Sequence, residues 1–199
     1  MIRLIALDID GTLITSDRQI SPDTRQSLMR LHEQGCAVVL ATGRAFRSLQ
    51  DVMEQLSCAD YAITSSGGGV FDRDGTMLFA AEMAPERAQA VAETVAAFGL
   101  TPELYIHGQA YASGYQLDHM DEWGVNKKTQ GYIRDTRIRI EDFSAFLQEN
   151  LHRIEGMDVL MAPSAVAPAL RLALGGLEGL AVTSSSPHYV DINTAGVTK

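Results

Sequence analysis

A chain of 199 residues, 46% of them hydrophobic, can bury a core and fits one domain or two small ones rather than a peptide or a repeat array. Its formal net charge of -9 opposes the basic surface of a nucleic-acid binder, so any phosphate it holds must be met by positive charge gathered locally. The two cysteines, Cys36 and Cys58, stand far apart with no CxxC, so neither a disulfide framework nor a zinc site is indicated.

The opening MIRLIALD turns acidic too soon for a signal peptide, and no later stretch nears the ~18 apolar residues of a membrane span. No membrane partner and a reducing, cytoplasmic location are therefore expected. Ile2 to Leu7 is nearly all apolar, the pattern of a strand covered on both faces in a parallel sheet flanked by helices, with Asp8 at its carboxyl end. Ser21-Pro22-Asp23 supplies an N-cap, a first-position proline and a first-turn acid for a helix that stops at Gly35. Cys36 to Ala41 reads as a second buried strand. Thr42-Gly43-Arg44 leads from it into a helix whose Phe46, Leu49, Val52, Met53 and Leu56 form one apolar stripe. This alternation implies a parallel crossover. A third strand, Tyr61 to Thr64, enters SSGGG, and Val70-Phe71 and Met77 to Phe79 flank an Asp74-Gly75 turn as a hairpin.

Beyond Glu82 the texture changes. Pro85 to Phe98 is an alanine-rich helix closed by Gly99; after it LYIH, AYAS, DVLMA, LAVTS and HYVDI read as short strands, with helices over 141–150 and 164–174 and a late start or kink at Pro168. The expected architecture is α/β, a Rossmann-like parallel core over 1–81 and 190–199 carrying a large inserted α+β cap over 82–189.

The chemistry concentrates in Ile5 to Asp17, IALDIDGTLITSD. In a strand-like segment Asp8 and Asp10 point the same way, about 6.6 to 7 Å apart along the chain. Two such charges repel by roughly 2.4 kcal/mol at an effective dielectric near 20, too little by itself to keep either acid protonated. With a cation on one and a further anion or an apolar setting on the other, the pair suits an ionised, metal-bound nucleophile beside an acid that trades protons. Gly11 lets the backbone bend towards a ligand and Thr12 adds a hydroxyl. A plain surface turn rarely follows so apolar a strand at the sheet edge where open α/β proteins bind ligands. A calcium-binding loop fails, because the glycine falls at its fourth position and Gln19 at its twelfth, where glycine at the sixth and glutamate are needed.

Asp8-Ile9-Asp10-Gly11-Thr12 and Thr42-Gly43-Arg44, each after a strand, together with the large later insert, resemble the haloacid dehalogenase-like phosphatases, specifically their Cof-type sugar-phosphatase branch. The resemblance spans essentially the whole chain and is strongest over 1–80 and at SPHYVDINTAGVTK. It implies an Mg²⁺-dependent phosphatase in which Asp8 attacks phosphorus and Asp10 protonates the leaving oxygen and then activates water. Thr42 and the backbone near Gly11 and Gly43 would hold phosphoryl oxygens, and Lys199 in GVTK would offset their charge. Mg²⁺ would sit on the Asp8 carboxylate and the Asp10 carbonyl oxygen. Arg44, Ser66 and Gly67 are candidate substrate contacts; for Thr42 a helix N-cap, and for Arg44 a solvated first-turn position, are the plainer readings.

The family's fourth motif, with its glycine, aspartates and asparagine, is absent up to Lys199. The expectation is a piece of a longer protein that binds Mg²⁺ poorly and turns over weakly, with an open sheet edge able to self-associate. In the insert, His107, Tyr111, His119, Trp123 and His188 are candidates to face a small phosphorylated substrate, a sugar phosphate or a phosphorylated cofactor. A phosphomutase of the same superfamily and a non-catalytic phosphosugar-binding protein are the competing functions.

Overall fold

The computed structural model describes residues 2–15, 17–161, 166–184, 186 and 188–197. They form two compact units, one running to Ala80 and the other spanning Ala81–Val197.

In the first unit, β1 (Leu4–Asp8), β2 (Ala37–Ala41) and β3 (Tyr61–Thr64) are parallel neighbours, and β4 (Gly69–Asp72) and β5 (Met77–Ala80) extend the sheet as the expected antiparallel hairpin. Helix α1 (Pro22–Glu33) begins as its sequence predicts: the Ser21 side chain accepts the Thr24 N–H, with proline in the first turn. The stripe after Arg44 is not one helix but a 3₁₀ turn (Phe46–Leu49) running into α2 (Gln50–Gln55). Leu49, Val52 and Leu56 are nonetheless fully buried, against Val38, Leu40 and Ala62 of the sheet and Leu28 of α1. Each such side chain contributes about 1.5–3 kcal/mol.

The first strand departs from expectation. Instead of being covered on both faces, β1 closes one end of the sheet and exposes Leu4 and Ala6, while Ile5 and Leu7 pack on the core. An unbroken apolar run gives no alternation from which a one-sided strand could be read.

The second unit has a six-stranded sheet ordered β10-β11-β9-β6-β7-β8: β6 (Glu103–Ile106), β7 (Gln109–Ser113), β8 (Arg137–Ile140), β9 (Gly156–Leu160), β10 (Leu180–Thr183) and β11 (Tyr189–Thr194). Among the described residues of this unit only β7 and β8 pair in parallel, and the short helix α4 (Gly114–His119) and α5 (Lys127–Thr136) lie between them in the chain. These helices and β8 carry no long apolar run; α5 buries only Gln130 and Ile133 and is set by its Asn126 cap. Helices α3 (Pro85–Ala96), α6 (Phe143–Asn150) and α7 (Val166–Gly175) belong to the main apolar cluster of this unit. Pro168 falls in the first turn of α7, where a missing N–H breaks no helical bond.

The boundary expected at residue 190 is corrected. β11 pairs with both β10 and β9 and buries Val190 and Ile192 in the second unit, so 190–197 belong there and not with the first sheet. Thr198 and Lys199 lie outside the described residues.

Candidate active site

Three parallel strands of the first unit end side by side. Asp8, the last residue of β1, pairs in register with Ala41, the last of β2; Ala41 pairs in turn with Ile63 near the end of β3. The loops that leave these ends are DGT, TGR and SSG, and backbone bonds knit the last two together: Thr42 N–H donates to the Ile63 carbonyl at 2.9 Å, Ser66 N–H to the Thr42 carbonyl at 3.1 Å, and Ser65 N–H to the Arg44 carbonyl at 2.9 Å.

Between the two acids, Ile9 is fully buried in the core while Asp10 is exposed, the alternation expected when Asp8 and Asp10 share a side. The Ile9 carbonyl accepts N–H groups from Thr12, Leu13 and Ile14 at 3.3, 3.0 and 3.1 Å, which curls the chain back immediately after the acids. Gly11 has φ +79, a left-handed value that glycine reaches at no cost, and nothing occupies the space its Cβ would fill. Conformation, not room, requires glycine there. Thr12 Oγ1 donates to Asp8 Oδ2 at 3.1 Å.

Thr42 is buried, and its hydroxyl accepts the Arg44 N–H at 3.1 Å. It caps no helix: the 3₁₀ turn starts after Ala45 and has no side-chain cap. Gly43 needs its missing side chain for a different reason from Gly11, since a Cβ there would stand 3.2 Å from Ser66 Oγ. Ser65 and Ser66 hold φ of 50 and 54, and Gly67 follows at 107. Two successive serines in the left-handed region store strain of the kind that collects at functional loops.

The solvated first-turn reading of Arg44 is corrected. Its side chain is 10% exposed and grips Asp10 with both arms, Nε to Oδ2 at 2.9 Å and Nη2 to Oδ1 at 2.6 Å. Behind it, Nη1 lies 3.7 Å from Asp51 Oδ1, and Arg18 Nη2 meets Asp51 Oδ2 at 2.7 Å. The pairing of Asp51 with Arg18 had no signal in the sequence, because the two lie 33 residues apart.

Towards Mg²⁺ the donors fit in kind. The Asp8 carboxylate and the Asp10 carbonyl are hard oxygens, and Mg²⁺ keeps several waters where protein ligands are few. They are few here: among the described residues no group of three His, Cys, Asp or Glu side chains could hold a metal ion.

In the second unit the five candidate side chains do not converge. His107 sits at the exposed β6–β7 turn, and Tyr111 tilts on Phe146 at 4.8 Å in the main apolar cluster. Trp123 belongs to the separate cluster of α4 and α5, while His119 stacks on Tyr115 at 3.9 Å and His188 Nδ1 lies 3.3 Å from the Met161 carbonyl.

Two acids and a Thr-Gly-Arg loop thus stand at the carboxyl ends of the parallel strands of an α/β sheet. The sequence pattern of the haloacid dehalogenase-like hydrolases matches residues 5–199, and the chain belongs to that family. It is 35% identical over 91 residues to the HMP-PP phosphatase of Cronobacter sakazakii, a match covering 46% of this chain and 34% of that protein. It is 34% identical over 71 residues to the 5-amino-6-(5-phospho-D-ribitylamino)uracil phosphatase of Bacillus subtilis, over 36% of this chain and 28% of that one. The matches thus span about a third of the length of these relatives. A haloacid dehalogenase-like hydrolase from B. subtilis superposes with a TM-score of 0.82 at 20% identity, over 100% of this chain and 75% of that structure, a likeness of fold.

Proposed function

We propose that the protein is an Mg²⁺-dependent phosphatase that hydrolyses small phosphomonoesters through an aspartyl-phosphate. The observation that carries this reading is the placement of Asp8 and Asp10 at the carboxyl end of β1, beside the loop ends that bear Thr42 and Ser65. In the first step an Asp8 oxygen bonds to phosphorus as the bond to the leaving oxygen breaks. The leaving oxygen keeps that electron pair and takes a proton from Asp10. In the second step Asp10 takes a proton from water, whose oxygen bonds to phosphorus, and the Asp8 carboxylate departs with the electrons of its bond. Thr42 and the N–H groups around Gly11 and Gly43 would hold the phosphoryl oxygens. Mg²⁺, on the Asp8 carboxylate and the Asp10 carbonyl, would offset the charge that Asp8 presents to a phosphate.

The names of the relatives point to small phosphorylated metabolites as substrates, in line with the sugar phosphates and phosphorylated cofactors expected from the sequence. No helix among the described residues is long and apolar enough to cross a membrane, and a cytoplasmic location belongs to the same proposal. The test is phosphate release by the intact protein from a panel of such esters, with beryllium fluoride to trap the phosphorylated state. Asp8→Asn is expected to lower kcat by about 10³-fold or more and to abolish trapping. A trapped mimic on any other residue, or sugar-phosphate isomers in place of free phosphate, would refute this reading.

A further inference from the structure

We propose that Arg44 is a positioning residue for Asp10, locking its carboxylate in the orientation from which it passes a proton to the leaving oxygen; the proposal rests on the phosphatase reading above. Asp10 has little else to hold it. Its side chain is 60% exposed, on a loop that has just left β1, and an exposed aspartate samples several rotamers. The two-point grip of the guanidinium, at 2.9 and 2.6 Å, fixes both the direction and the plane of the carboxylate. It does so without exhausting it. A carboxylate offers about four acceptor sites, so each oxygen keeps one for the proton it trades.

Arg44 is itself held from behind. Its third nitrogen faces Asp51 at 3.7 Å, Asp51 receives Arg18 at 2.7 Å, and Gln55 Nε2 donates to the carbonyls of both Arg18 and Asp51 at 3.0 Å. Its backbone is equally committed, with the N–H on Thr42 Oγ1 and the carbonyl on Ser65 N–H. One residue therefore ties the loops that follow β1, β2 and β3 to one another. Lysine could not take its place, since an ammonium is a point charge that meets the carboxylate at one place and leaves it free to turn.

A role through Asp10 has a signature that a phosphate contact or a merely structural role lacks. In the intact protein, kcat/KM reports the first step, in which the leaving oxygen receives the proton. An alkyl phosphomonoester needs that proton; p-nitrophenyl phosphate, whose leaving anion is stable, does not. Arg44→Lys is expected to lower kcat/KM for the alkyl ester by roughly 100-fold and for the p-nitrophenyl ester by less than about 10-fold. Inhibition by inorganic phosphate should be unchanged. Asp51→Asn, a milder variant should Arg44→Lys fold poorly, is expected to show a smaller loss with the same bias towards the alkyl ester. Equal losses on both esters, or a matching loss of phosphate inhibition, would overturn the positioning role alone. A wild-type protein inactive on both esters would overturn the phosphatase reading and this proposal with it.

Discussion

Replacing Asp158 by asparagine should stabilise the second unit, and by more as the pH rises. The sheet sets Glu103, Asp158 and Asp191 at directly paired positions on β6, β9 and β11, so three acids stand in a row on one face. Like charges directly opposite one another destabilise a sheet. Glu103, fully buried, is matched by Arg137 Nε at 3.0 Å and accepts Gln116 Nε2 at 3.0 Å and the Tyr189 hydroxyl at 3.3 Å. Asp158 accepts the Tyr105 hydroxyl at 2.6 Å. Burial, and next the Asp191 carboxylate, push the Asp158 carboxyl well above the usual carboxylate range despite that hydroxyl. Because the folded pKa lies above the unfolded one, the stabilising contribution is whole below the unfolded value and is lost as pH rises towards the folded value. Between the two the loss runs at about 1.4 kcal/mol per pH unit. Asparagine carries no such term: its oxygen still accepts from Tyr105 and its N–H₂ can donate to Asp191. Urea unfolding of the intact protein, followed by the single tryptophan, Trp123 of this unit, at about pH 5, 6 and 7 measures the difference. The advantage of Asp158→Asn should widen as the pH rises from about 5, at a rate of up to roughly 1.4 kcal/mol per pH unit. Parallel profiles, or a wild type that gains on the variant as pH rises, would refute the reasoning.

Ser66→Gly removes a side chain from a backbone held at φ 54 and should raise stability by about 0.5–1 kcal/mol, read as a higher unfolding midpoint; a lower midpoint would show that the hydroxyl over Gly43 matters more than the strain. The first sheet exposes Leu4 by 55% on β1 and Phe79 by 55% on β5, both on one face, at the two edges that no strand among the described residues pairs with. The 199-residue chain should therefore self-associate, and Leu4→Lys should weaken this; a monomer by light scattering at every concentration tested would count against it.

What could be read in the sequence was what local physics decides. The strand over 61–64, the hairpin around Asp74-Gly75 and the start of α1 at Ser21 follow from apolar runs, turn residues and caps acting within a few positions. The loop ends carrying Asp8, Thr42 and Ser65 were legible for the same reason, each standing where a strand stops. What escaped was decided at a distance. Nothing near Arg44 announces that its fork closes on Asp10, and nothing near β11 tells which of two sheets it joins. Helix α5 is polar over most of its length and rests on its Asn126 cap and the buried Ile133, too little pattern to separate it from a loop.

The acidity of the chain and the proposed phosphatase activity conflict less than the net charge of -9 suggests. Exposed charges more than about 8 Å from the reaction are screened at physiological salt, so most of the excess acts on encounter rate and little on the bound phosphate. On that reading the decisive repulsion is local, between an Asp8 carboxylate and the anion it would approach. Arg44, though next to Asp10, brings little relief, because two carboxylates, Asp10 and Asp51, already draw on its single positive charge. An arginine so engaged orients; it does not neutralise. On the proposed reading, the attraction that brings a phosphate to Asp8 would come from the backbone N–H groups of the loops, from Lys199 and from a cation on Asp8 itself, so that orienting Asp10 and neutralising Asp8 fall to different groups.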